Sequence, residues 1–147
     1  MPIVNKSILL VEDNEQDEAL VIRSLKKINI VNNIVIVRDG QQALDYLFAT
    51  GDYSNRSIDD IPVVVLLDIS LPRISGLDVL ARVRANPKTQ LLPVVILTSS
   101  DEERDRLQSY RNGCNSFIRK PLDFGEFAAT IAQLGVYWCA TNLPPQN

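Results

Sequence analysis

Val63-Val64-Val65-Leu66-Leu67-Asp68-Ile69-Ser70-Leu71-Pro72 sets the fold: five uninterrupted apolar residues run straight into a carboxylate, and a proline follows. Continuous β-branched and leucine content without polar alternation marks a strand buried on both faces, in the middle of a parallel sheet covered by helices. Four further runs accompany it: Ser7-Ile8-Leu9-Leu10-Val11, Ile34-Val35-Ile36-Val37, Pro93-Val94-Val95-Ile96-Leu97 and Ser116-Phe117-Ile118-Arg119. They alternate with helical patterns, which predicts βαβ units and an α/β fold. A chain of 147 residues is enough for one domain with its own core. The expectation is a single domain over 1–147, with its core over about 6–143 and no output domain.

Helical spacing places Val21, Ile22, Leu25 and Ile28 on one apolar stripe, and Asp39 caps a short helix bearing Ala43, Leu44, Leu47 and Phe48. Residues 50–62 turn to Gly, Asp, Asn, Ser and Tyr, a long surface loop that reads either as a docking loop or as a tolerated insertion. Ser75 caps a helix with Val79, Leu80 and Val83, which Asn86-Pro87 stops. Ser100-Asp101-Glu102-Glu103 reads as a capping box, and the helix it opens has only Leu107 and Tyr110 as large apolar residues. Such a helix is held weakly, and weakly held elements are the ones switches move. Asp123 opens the last helix, whose Phe127, Ile131, Leu134 and Trp138 face the core. A second line of Phe124, Ala128, Gly135 and Cys139, with Val136 and Leu143 near it, points either to another chain or to a wider core contact.

No apolar run approaches the ~20 residues of a membrane span, and Met1-Pro2-Ile3-Val4-Asn5-Lys6 has no signal-peptide pattern, so a cytoplasmic protein is expected. Cys114 and Cys139 have neither metal-ligand nor redox spacing and read as reduced thiols. The sequence has no histidine, which excludes imidazole bases, nucleophiles and metal ligands. A net charge of −3 argues against a nucleic-acid surface.

Ligands of open α/β sheets bind outside the carboxyl ends of the strands, and four of the five strands deliver a suitable residue there. Glu12 and Asp13 follow the first, Asp68 the third, Thr98 the fourth and Lys120 the fifth. Asp68 alone reads equally well as a reactive carboxylate or as polar punctuation; the constellation is the specific signal. Three crowded carboxylates raise one another's pKa and call for a cation. With oxygen ligands only, that cation is Mg²⁺. A carboxylate nucleophile beside Mg²⁺, a lysine and a hydroxyl can accept a phosphoryl group as an aspartyl phosphate.

In these residues the chain resembles the receiver domains of two-component response regulators: Glu12-Asp13, Asp68 with Pro72 and Gly76, Thr98-Ser99 and Lys120-Pro121. The resemblance implies a doubly wound (βα)5 sheet in the order 2-1-3-4-5. It implies Asp68 as phosphoacceptor, Glu12, Asp13 and the Ser70 carbonyl as further metal ligands, and Thr98 and Lys120 as switch hydroxyl and phosphate-binding lysine. A cis Lys120-Pro121 bond is expected with it. Phe117 occupies the position of the family's rotating aromatic switch, with an edge-strand core role as the other reading. Glu12 stands where aspartate is commoner; its longer side chain still reaches the metal.

The long loop with Tyr53 and the closing Leu134-Gly135-Val136-Tyr137-Trp138 with Pro144-Pro145 resemble the stand-alone regulators of cyanobacterial phytochromes and related kinases. The implied partners are a histidine kinase, a second copy of the chain gripping Phe124, Ala128, Val136 and Cys139, and a downstream protein. Two other functions stay open on the residues. One is an aspartate-nucleophile phosphohydrolase, which needs an acid where Ser70 stands and a downstream acidic pair. The other is a pseudo-receiver acting only as an interaction module.

Overall fold

Five strands run parallel in the order β2-β1-β3-β4-β5: β1 Ile8–Val11, β2 Ile34–Val37, β3 Val64–Leu67, β4 Val94–Thr98 and β5 Ser116–Arg119. The structure is a computed structural model that describes residues 7–30, 33–100 and 102–145. Val11 lies opposite both Val37 and Leu67, and Thr98 opposite Arg119. The first three strands therefore finish level, while Leu67 lies opposite Ile96 and β4 and β5 run two residues further; the residues that follow emerge along one edge of the sheet.

Each strand divides its side chains between two cores by the period of two. Leu9, Val11, Val65, Leu67, Val94 and Ile96 meet α2 (Gly40–Phe48) and α3 (Gly76–Ala85) on one face. Ile8, Leu10, Val64, Leu66, Val95 and Leu97 meet α1 (Glu15–Lys27) and α5 (Phe124–Val136) on the other. Both faces are covered, which is why the strands read as unbroken apolar runs.

Asn14, Asp39, Ser75 and Asp123 each cap a helix by accepting the backbone N–H three residues on, from Asp17, Gln42, Asp78 and Glu126. Such caps stabilise a helix by ~1 kcal/mol each. The helix α4 (Glu103–Arg111) departs from expectation. Its N-cap is Glu102, with no side-chain cap bond. Ser100 lies two residues too early to cap, so its hydroxyl donates instead to Asp105 Oδ2 at 2.7 Å and accepts from Glu102 N at 3.3 Å. Asp101 of that expected box, and the Met1–Lys6 stretch, lie outside the described residues. Only Ser109 of α4 is buried, with Leu107 and Tyr110 51% and 53% exposed.

The last helix also ends differently, passing into a π-helical turn over Tyr137–Thr141. Trp138 is still buried with Phe127 and Ile131. Of the second line, Gly135 is buried so closely that a Cβ there meets Leu25 Cδ2 at 2.6 Å, and Cys139 packs against the same core. Phe124 and Val136 are exposed. The 50–62 loop is tied down rather than loose: Tyr53 meets Tyr46 edge-on, and the Arg56 guanidinium lies 3.7 Å over the Tyr46 ring. That guanidinium also donates to the Tyr46 and Asp60 carbonyls.

Candidate functional site

The parallel strand ends bring Glu12, Asp68 and Lys120 together from three strands. Lys120 Nζ lies 2.6 Å from Glu12 Oε1, 3.1 Å from Asp68 Oδ2 and 2.8 Å from Asp17 Oδ2. Lys120, Glu12 and Asp68 are all buried, with side chains 7%, 2% and 8% exposed. Asp17 is the member that the sequence reading missed. It sits in the first turn of α1, where its backbone N–H binds the Asn14 cap, and that cap was the available signal for its position.

Asp68 is fixed at both ends. Its backbone N–H donates to Val11 O at 3.2 Å, and its Oδ1 accepts from Ser70 N at 3.2 Å. A Cβ on Gly76 would stand 2.0 Å from the Asp68 carbonyl oxygen, so only glycine lets the start of α3 come this close. Thr98 is fully buried. Its carbonyl accepts from Lys120 N at 2.7 Å and its Oγ1 from Ser100 N at 3.2 Å, so the hydroxyl proton remains available to a further acceptor. Phe117 is half-buried against the α2 and α3 core. It also lines a hollow of about 300 Å³ with Ser100, Glu102, Arg106 and Arg119.

Burial is the largest influence on Glu12, pushing its carboxyl up from 4.5 to about 7; Asp68 adds to the rise, while Lys120 and the Asn14 N–H offset part of it. Burial works to lower the pKa of Lys120, but Asp68, Asp17 and Glu12 together outweigh it and hold the ammonium above its ordinary value. Lys120 therefore stays charged throughout the physiological range.

Glu12, Asp13 and Asp68 can each direct an oxygen into one group spanning no more than 4.8 Å, with Asp13 exposed to solvent. Hard oxygen donors, one open to water, fit a hard divalent cation that keeps part of its hydration shell. The expected cis bond at Lys120-Pro121 is not found: no peptide among the described residues is cis. Trans is the intrinsically favoured isomer by about 0.5–1 kcal/mol, and in it Nζ reaches Glu12, Asp17 and Asp68.

Residues 8–132 match the response regulator receiver domain. The chain belongs to the response regulator receiver domain family. Among relatives of this receiver, response regulator Rcp1 from Synechocystis sp. is 35% identical over 92% of the chain and 90% of its own length. The probable methanogenesis regulatory protein FilR2 from Methanothrix harundinacea is 36% identical over 94% of the chain and 86% of its own length. In structure, the receiver is similar to the Mn²⁺-bound form of Rcp1, with a TM-score of 0.89 over 96% of this chain and 99% of that one. It is equally similar to the phosphorylated cyanobacterial phytochrome response regulator RcpA, with a TM-score of 0.90 at 34% identity over 97% and 99% of the two chains. Receivers are signalling phosphoacceptors served by histidine kinases, and the acidic group here is of the kind that holds their divalent metal. No helix among the described residues is long and apolar enough to cross a membrane.

Proposed function

We propose that this receiver accepts a phosphoryl group on Asp68 and acts as a cytoplasmic switch paired with a phytochrome-type histidine kinase. The observation that carries the reading is the meeting of Asp68 with Glu12, Asp13 and Lys120 at the strand ends. An Asp68 carboxylate oxygen attacks the phosphorus of the kinase phosphohistidine. The P–N bond breaks, its electron pair returns to the imidazole nitrogen, which is protonated, and an acyl phosphate remains on Asp68. Glu12, Asp13, Asp68 and the Ser70 carbonyl would hold Mg²⁺, which would supply positive charge against the phosphoryl oxygens. The Lys120 ammonium neutralises the same charge from the end of β5, and Thr98 donates its hydroxyl proton to a phosphoryl oxygen.

The acyl phosphate carries roughly −1.5 to −2 charges where the carboxylate carried −1. Thr98 and Ser100 are joined by a hydrogen bond, so a shift of the threonine reaches the start of α4. Phe117 borders a hollow into which its ring can turn. The lightly buried α4 then moves, and the altered surface is read by a second copy or by a downstream protein. The exposed Phe124 and Val136 on α5, with Ala128 and Cys139 beside them, form the proposed contact between copies. Similarity to RcpA, a cyanobacterial phytochrome response regulator, supports the phytochrome pairing.

The test is incubation with Mg²⁺ and acetyl phosphate, read by intact mass and size-exclusion chromatography. An adduct of about 80 Da, the mass a phosphoryl group adds, is expected on the wild type and absent from Asp68→Ala, with an earlier elution of the phosphorylated form. Donor consumption without an adduct would instead indicate a phosphohydrolase. Neither adduct nor consumption would indicate an interaction module.

A further inference from the structure

We propose that Asp17 is a positioning residue that holds Lys120 in a resting arrangement from which a phosphoryl group on Asp68 must draw it; this rests on Asp68 being the phosphoacceptor. An ammonium group has three N–H donors and no acceptor. In this structure all three have a partner: Glu12 Oε1 at 2.6 Å, Asp17 Oδ2 at 2.8 Å and Asp68 Oδ2 at 3.1 Å. A new hydrogen bond from Nζ to a phosphoryl oxygen therefore requires one of these contacts to be released.

Exposure selects which contact goes. The Glu12 side chain is 2% exposed, and its other oxygen already accepts from Asn14 N at 3.3 Å, so it cannot exchange the ammonium for water. Asp68 is the point of attachment. Asp17 has a side chain 25% exposed and can exchange the ammonium for water at much lower cost. Freed from Lys120, it still stands in the first turn of α1, where the helix dipole favours a carboxylate. It also lies outside the group of Glu12, Asp13 and Asp68 that can share a cation, so its contact with Lys120 is separable from metal binding.

Asp17 thus competes with the phosphoryl group for one donor of Lys120 and opposes the phosphorylated arrangement. Removing its charge while keeping its shape, with Asp17→Asn, favours that arrangement. Beryllofluoride, which mimics a phosphoryl group on a carboxylate, is the probe, titrated by fluorine NMR at saturating Mg²⁺ so that a change in metal affinity does not register. Asp17→Asn is expected to bind it about three- to tenfold more tightly than the wild type, the range of one contact between charged groups. Glu15→Gln removes the same charge from the same turn without touching Lys120 and is expected to change binding by less than about twofold. In a Lys120→Met background the gain from Asp17→Asn should disappear. Equal gains from Glu15→Gln and Asp17→Asn, no gain from Asp17→Asn, or a gain that persists without Lys120 would each overturn the proposal. Binding that survives Asp68→Asn unchanged would instead overturn Asp68 as phosphoacceptor, on which the proposal stands.

Discussion

Lys120 shows how far one residue can be read from sequence. Its place after β5 and its charge suit a phosphoryl site, and Glu12 and Asp68 were legible beside it because strand ends in a parallel sheet come together by topology. Asp17 was not legible, because its carboxylate reaches Lys120 across 103 positions of sequence from a helix turn whose rotation only packing fixes. Glu12 carries the clearest pH consequence. Its folded-state pKa of about 7 lies above its ordinary 4.5, so protonation favours the metal-free fold. This contribution is fully present below about pH 4.5 and is lost as pH rises through about 7. In EDTA, the wild type should lose roughly 1–3 kcal/mol of stability relative to Glu12→Gln between pH 5 and pH 7.5. Urea denaturation at the two pH values measures it, and saturating Mg²⁺ should remove most of the difference. Parallel pH curves for the two proteins would contradict the assignment.

Elements were legible where their apolar pattern was strong and less so where side chains compete for the backbone. All five strands and the helix caps at Asp39, Ser75 and Asp123 follow from periodicity and capping chemistry. The start of α4 does not, because Ser100, Glu102 and Asp105 offer alternative hydrogen bonds to one another. The π-helical close after Val136 left no mark in the apolar stripe, since Trp138 is buried in either winding. The contrast between α4 and α5 yields a direct test. Leu107, 51% exposed, should lose less than about 1 kcal/mol on truncation to alanine, whereas Ile131, 0% exposed, should lose about 2–5 kcal/mol. Amide exchange over 103–111 should likewise run at least about tenfold faster than over 124–136. A tightly protected α4 would remove it from the moving parts.

At the scale of the molecule, covering both faces of the sheet leaves its edge of strand ends as the place for chemistry, and the acidic group and Lys120 lie there. The fold class and strand order were legible from alternating patterns and family resemblance. The folding of 50–62 onto α2 was not, because it depends on Arg56 finding Tyr46, a pairing that no periodicity encodes. Similarity to Rcp1 and RcpA extends along almost the whole chain, so the likeness rests on the entire sheet and not on a local motif. The most direct measurement is reductive trapping: phosphorylate the protein with acetyl phosphate and Mg²⁺, reduce with borohydride, and sequence its peptides by mass spectrometry. An acyl phosphate is reduced to the alcohol, so homoserine at position 68 is the expected result. Homoserine elsewhere, or unmodified Asp68 in a protein that carries the phosphoryl mass, would contradict Asp68 as the acceptor.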